Sequence, residues 1–181
     1  MDPRHLTTER LQLDEPSRLD IAELHRIYAD ERVWRHFPSL RFTRLEQTST
    51  MLESWLDAWC RDGLGPWILR RPGESTILGN AGCAMRAGLF WNLGYRLHPD
   101  AQGHGLATEA AALAVRMAQQ MDPDVPVVAY LVERNRGSAR VAEKAGLSLV
   151  HRCIEAEDRS THRLIFADRE LDEATLEAAT S

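Results

Sequence analysis

Apolar residues recur along the chain with two different spacings, and the switches between them outline its elements. Leu11 and Leu13 alternate with polar neighbours across Arg10–Asp14, which predicts a strand. After Pro16-Ser17, Ile21, Leu24, Ile27 and Tyr28 fall at helical spacing and predict a helix ending near Asp30. A second helix is predicted from Thr43, with Glu46 three residues on as a capping box. It buries Met51, Leu52, Trp55, Leu56 and Trp59 and stops at Asp62-Gly63. Pro66–Arg70, Thr76–Met85 and Phe90–Leu97 read as three strands separated by turn signals. A glycine-containing loop, Pro99–Gly105, then opens a helix over Leu106–Met121, with Ala110, Leu113, Ala114, Met117 and Ala118 on one side. Val125–Val132 is a β-prone run in which Val127, Ala129 and Leu131 share a face. A helix over Asn135–Ala145 is closed by Gly146, the strands Leu147–Ile154 and His162–Ala167 follow, and a short helix is expected from Leu171. The order β, α, α, β, β, β, α, β, α, β, β predicts a mixed α/β fold. One domain is expected over 1–181, with its core over about 6–168 and a tail over 169–181.

Composition narrows the class. With 181 residues, 44% apolar and 27% charged, the chain resembles an ordinary globular protein. No apolar run approaches the roughly 18 residues of a membrane span. The opening MDPRHLTTERLQLDE carries no apolar core of a signal peptide, so a cytoplasmic location is expected. Cys60, Cys83 and Cys153 are widely separated with no CxxC pair, which predicts free thiols and no metal site. A net charge of −5 argues against a nucleic-acid partner. The charge is uneven: Arg32, Arg35, Arg41 and Arg44 crowd one stretch, interleaved with Trp34, His36, Phe37 and Phe42. The acidic tail from Asp168 reads as a solvated helix surface.

The candidate chemistry lies in Gly94-Tyr95-Arg96-Leu97-His98-Pro99-Asp100-Ala101-Gln102-Gly103-His104-Gly105-Leu106-Ala107-Thr108, where a strand runs through a loop into a helix. The first N–H groups of a helix lack internal partners and carry partial positive charge, and glycines let a backbone approach an anion. This suits a diphosphate cradle, although glycines also mark ordinary strand-to-helix turns. A P-loop is excluded because no GxxxxGK[ST] is present, and a Rossmann loop because GxGxxG is not completed.

Gln102-Gly103-His104-Gly105-Leu106-Ala107 resembles the [RQ]xxGx[GA] motif of the GNAT N-acetyltransferase superfamily. The longer run GYRLHPDAQGHGLATEA resembles its RimJ/RimL-type branch, which acetylates ribosomal proteins. Leu6–Leu13 is similar to that branch's opening strand, NRGSARVAEKAGL to its later helix, and ERVWRHFPSLRFTRLE to the loop between its first two helices. The resemblance implies a mostly antiparallel sheet, splayed between two parallel strands and flanked by helices. It also implies acetyl-CoA as co-substrate, no metal, and an amine acceptor. Leu97 would offer backbone contacts to the pantetheine arm, and Gln102, Gly103, His104, Gly105, Leu106, Ala107 and Thr108 would hold the diphosphate. Asn135 would contact the arm or the thioester region, or serve as a helix cap. Arg136, Arg140 and Lys144 would meet the nucleotide 3′-phosphate or form a solvated face. Trp34, Arg35, Phe37 and Arg41 would line the acceptor pocket, or sit on a solvated loop with the aromatics inward.

Two departures from the pattern bear on mechanism. Where many members carry a tyrosine as general acid, this chain has Ala142, and the branch's serine corresponds to Ser138. Ser138 is therefore the expected donor to the leaving thiolate, unless it only packs the helix face. Where many members carry a glutamate base, this chain has Asn92, which cannot accept a proton. Tyr95, His98, Glu133 and His151 remain as polar partners acting through water, with Tyr95 taken as the second catalytic candidate. A lysine amine with pKa ~10.4 is neutral in roughly one molecule per thousand at pH 7, and an α-amine at ~7.7–8.0 in about one per ten. A site without a strong base thus favours a protein N-terminus or a small-molecule amine. A non-catalytic acyl-CoA-binding protein on the same fold is the alternative, and a homodimer stays open.

Overall fold

The period-2 stretches become strands and the period-3.6 stretches helices in the computed structural model, which describes residues 2–154 and 160–180. Among the described residues the strands are β1 (His5–Thr7), β2 (Gln12–Asp14), β3 (Trp67–Arg70), β4 (Gly79–Arg86), β5 (Phe90–Leu97), β6 (Val127–Val132), β7 (Ser148–Ile154) and β8 (His162–Ala167). The helices are α1 (Ile21–Ala29), α2 (Leu45–Asp62), α3 (Leu106–Met121), α4 (Arg136–Lys144) and α5 (Glu173–Thr180). One sheet runs in the order β1-β2-β3-β4-β5-β6-β8-β7. Every neighbouring pair is antiparallel except β5–β6.

Alternation along the strands sorts the core onto two faces. On one face Ala81, Cys83, Trp91, Leu93, Leu97, Val127, Ala129 and Phe166 pack against α3 and α4. The α3 stripe is Ala110, Ala111, Ala114, Val115 and Ala118, with the expected Leu113 and Met117 only half-buried at its margin. Small alanines let the helix lie close to the strands. On the other face α1 and α2 cover Ile68 and Ile77 with Leu24, Ile27, Tyr28, Leu52 and Trp55, joined by Trp34 from the loop between the two helices. Farther along that face α5 covers Phe90, Val128 and Ile165.

Several local expectations are corrected. The single opening strand is a hairpin, because Thr8 N–H donates to the Leu11 carbonyl at 2.8 Å and turns the chain back. The α2 cap lies one residue later than expected: Gln47 Oε1 accepts from Thr43 and Arg44 N–H at 2.9 and 3.0 Å, and Glu46 stays exposed. The strand expected from Thr76 begins at Gly79, since the Ile77 N–H leaves the ladder for the Glu23 carboxylate at 3.0 Å. Asp168, expected on a solvated surface, is almost fully buried and accepts from Val127 N–H and Gln119 Nε2. Burial opposes its charge, but these bonds and Arg169 hold its pKa below the usual carboxylate value. It thereby pins the first residue of β6 where the parallel pairing starts. Gly146 closes α4 as expected: with φ +97° it lets Leu147 N–H reach the Ala142 carbonyl and its own N–H reach that of Glu143.

The feature that positions the site is the brevity of the β5–β6 pairing. Only Trp91↔Val127 and Asn92↔Val128 are in register, and beyond them the strands diverge. Trp91 N–H donates to the Pro126 carbonyl at 2.9 Å, so alternation aims the backbone groups of Leu93, Tyr95 and Leu97 into the gap. No helix among the described residues is long and apolar enough to cross a membrane.

Candidate active site

The glycine loop closes one end of this gap. Gly103 and Gly105 both adopt left-handed backbone, φ +81° and +77°, which L side chains rarely tolerate. Gln102 Nε2 donates to the Leu97 carbonyl at 3.0 Å, folding the loop onto the end of β5. The α3 backbone then starts at Leu106 with its first N–H groups unclaimed inside the helix. Leu97, Gln102, Gly103, Gly105, Leu106, Ala107, Thr108, Asn135 and Ser138 together line one cavity of about 340 Å³. His104 alone of the expected cradle residues is outside that lining.

A bracket that sequence reasoning missed holds the loop from behind. Arg10 Nη1 donates to the His104 carbonyl at 2.8 Å, and its Nε donates to Glu109 Oε2 at 2.6 Å. Thr8 Oγ1 donates to the other Glu109 oxygen at 2.5 Å. Burial works against the Glu109 charge, but these donors outweigh it and its pKa lies below the usual value. A carboxylate depressed in the folded state stabilises above its unfolded pKa of about 4.3 and loses that contribution as pH falls through the folded value. Glu109→Gln is therefore expected to lower Tm at pH 7 by about 2–8 °C, from roughly 1–2 kcal/mol of charged hydrogen bonding. The difference from wild type should shrink in melting curves below about pH 4. Equal melting temperatures at pH 7 would dismiss the bracket.

The gap itself forms a second cavity of about 290 Å³, lined among others by Trp34, His36, Phe37, Asn92, Tyr95, Ser138 and Tyr130. On the far face, between α2 and the strands, lies a groove of about 840 Å³ reaching Ser54, Trp55, Gly82, Ala84, Asn92 and Gly94. Tyr95 and Arg96 line all three spaces, which therefore form one passage through the sheet. One end offers helix N–H groups to an anion and the other an open groove, an arrangement suited to two substrates meeting at the gap.

At the meeting point Asn135 caps α4, its Oδ1 accepting from Ser138 N–H at 3.1 Å. Tyr95 Oη donates to the Ser138 carbonyl at 2.8 Å. Burial pushes the Tyr95 hydroxyl up to about 12, so it stays protonated and braces the first turn of α4. Ser138 lines both the gap and the cradle, and its Oγ makes no hydrogen bond to described residues. Ala142 is fully buried on the inner side of α4. His36 is held below its usual pKa by burial and by the charges of Arg134, Arg35 and Arg96.

The other expected residues are spread more widely. Trp34 and Phe37 line the gap, whereas Arg35 and Arg41 line a separate depression behind Trp34. Arg41 lies 3.7 Å from Glu31, and Arg32 is bound to Asp30 at 2.6 Å. Glu133 is paired with Arg152 at 2.8 Å. Neither it nor His98 nor His151 reaches the passage. Arg136 and Arg140 are exposed, and Lys144 shares a shallow depression with Arg10 and Arg116 beyond the α3 N-terminus. Among the described residues no group of three or more His, Cys, Asp or Glu could hold a metal ion.

Comparison with known proteins gives a consistent picture. The model of the acetyltransferase (GNAT) domain family matches residues 10–148. An acetyltransferase from Agrobacterium tumefaciens str. C58 superposes with a TM-score of 0.75 at 25% identity, covering 92% of this chain and 94% of its own. A Bordetella pertussis protein assigned to the GnaT acetyltransferase family gives 0.77 at 23% identity, covering 91% and 99%. RimL, the ribosomal L7/L12 α-N-protein acetyltransferase, in its complex with coenzyme A gives 0.73 at 18% identity, covering 92% and 97%. The last two bear on the fold alone.

Proposed function

The chain belongs to the acetyltransferase (GNAT) domain family, and from that premise we propose that it acetylates a weakly basic amine, as the RimJ/RimL-type branch does. It is an N-acetyltransferase with acetyl-CoA as co-substrate. The acceptor class in this proposal is a protein N-terminal α-amine or a small-molecule amine. The observation that carries it is the lining of the gap, where none of the described residues is a carboxylate. Asn92 stands on β5 where a base would be expected, and Asp62, at the groove's outer edge, is paired with Arg61 at 2.6 Å.

The α3 N–H groups and the Gly103–Gly105 backbone suit the diphosphate, and the β5 edge at Leu93–Leu97 suits the pantetheine arm. Acetyl-CoA supplies the activated acetyl group; the protein positions the amine beside it and handles protons. The amine loses its proton through water at the gap. The departing thiolate is protonated through Ser138 Oγ, which passes on the proton that the amine released to water and so ends as a hydroxyl; Asn135 and Tyr95 hold this serine in place through its backbone. Trp34 and Phe37 flank the acceptor, while Arg35 and Arg41 lie farther out on the same loop.

Without a strong base, log(kcat/KM) is expected to rise with unit slope up to the acceptor's own amine pKa and then level. Acceptors with pKa near 8 and near 10 should break about two units apart. Neither His36, lowered from its usual value, nor Tyr95, at about 12, titrates in that window. Product formation by mass spectrometry across an amine panel, followed by these pH profiles, tests the reading. A break fixed at one pH for every acceptor would reveal a protein base and overturn it.

A further inference from the structure

Strand alternation turns Arg96 away from its neighbours Tyr95 and Leu97, toward the acceptor side of the sheet. Its guanidinium carbon lies 3.8 Å from the centroid of the Trp34 ring and 5.5 Å from that of Tyr28. Both rings are fixed in turn. Trp34 Nε1 donates to the Tyr28 carbonyl at 2.5 Å, and Tyr28 Oη donates to Asn80 Oδ1 at 3.0 Å. Stacking uses the face of a guanidinium and leaves its N–H edge free for a planar acceptor.

That edge meets no described carboxylate, and its polar neighbour is the Tyr28 hydroxyl. Arg96 Nε is sealed from solvent without a hydrogen bond, and the residue makes no ion pair with any described carboxylate. Arg96 as a whole is only half-buried, but a cationic N–H taken out of water is costly unless something compensates it. Among the described residues the only carboxylate lining the passage, Asp62, is already held by Arg61. Arg96 nonetheless touches the cradle, the gap and the groove alike.

We propose that Arg96 is the anchor for a carboxylate on the acceptor, so that the preferred substrate is an amine carrying a carboxylate a few bonds away. This rests on the amine-acetylating function proposed above and names its substrate class. The rigid stack on Trp34 sets the fork beside the gap, and a carboxylate held there delivers its amine toward the β5 edge. Arginine meets a carboxylate with two parallel hydrogen bonds, a geometry that lysine cannot reproduce. Two arginines of the loop between α1 and α2, Arg32 and Arg41, lie beside their own acids.

The experiment compares an amino carboxylate with its carboxamide as acceptors for wild type, Arg96→Gln, Arg96→Met and Arg96→Lys. Wild type is expected to favour the carboxylate, and Gln or Met at position 96 to shrink that preference about ten- to hundred-fold. Lys should recover only part of it. Dividing the preference of each variant by that of wild type cancels the difference in amine basicity between the acceptors. Arg96→Met keeps apolar contact with Trp34, and its melting curve shows whether the fold persists. Equal preference in wild type and both neutral variants overturns the anchor while leaving amine acetylation intact. Failure of wild type to acetylate any amine, with acetyl-CoA still bound, overturns the functional reading and the anchor with it.

Discussion

Gly105→Glu is expected to abolish the stabilisation of the protein by acetyl-CoA. For wild type, ligand at a hundred times its Kd should add about 2.7 kcal/mol, a Tm rise of roughly 5–10 °C for a domain of this size. Two effects combine in the variant. Residue 105 has φ +77°, so any side chain there strains the backbone by roughly 1 kcal/mol. The larger effect is occupation. A Cβ at residue 105 would meet only the Arg10 guanidinium, at 3.6 Å, so a carboxylate has room to settle at the α3 N-terminus. There it would take the N–H groups proposed for the diphosphate and repel it. Gly103→Ala separates the two effects, because φ is +81° with open space around the added methyl. It should weaken binding only several-fold, as strain of about 1 kcal/mol implies. A wild-type Tm rise for Gly105→Glu would remove the cradle from the cofactor site.

Much of this site was legible in the residues because its chemistry is local. A strand, a loop with two glycines and a helix start are contiguous, so their backbone geometry follows from the sequence between Gly94 and Thr108. Asn135 and Ser138 share one helix turn for the same reason. What escaped was set by partners distant in sequence. Thr8 and Arg10 give no sign that they grip Glu109, since the pairing exists only once the β1–β2 hairpin lies beside α3. β1 itself holds one apolar residue, Leu6, too little for a period to register. Arg96 was within the motif, and alternation alone places it opposite Tyr95. Its significance depended on Trp34 arriving under it from another element. The basic loop drew attention by composition, yet two of its charges, Arg32 and Arg41, sit beside nearby acids, while Arg96 on the strand meets no described carboxylate.

Ser138→Ala separates proton transfer from cofactor binding. The Ser138 backbone is held from both sides, its N–H by Asn135 and its carbonyl by Tyr95, and neither bond involves Oγ. Alanine therefore preserves the local helix, whereas Asn135→Ala would also remove a cap worth about 1 kcal/mol. Ser138 lines the gap where the thiolate would leave, and no described group competes for its Oγ. A donor acting on developing negative charge contributes mainly in the transition state, so its loss falls on kcat and not on ground-state affinity. A drop in kcat on the order of a hundred-fold is expected, with the Kd for acetyl-CoA, measured by calorimetry, within about two-fold of wild type. Buried tyrosine cannot substitute, because the Tyr95 proton is already given to the Ser138 carbonyl. If kcat stays at the wild-type value, water protonates the thiolate and the Ser138 side chain serves only to pack the start of α4.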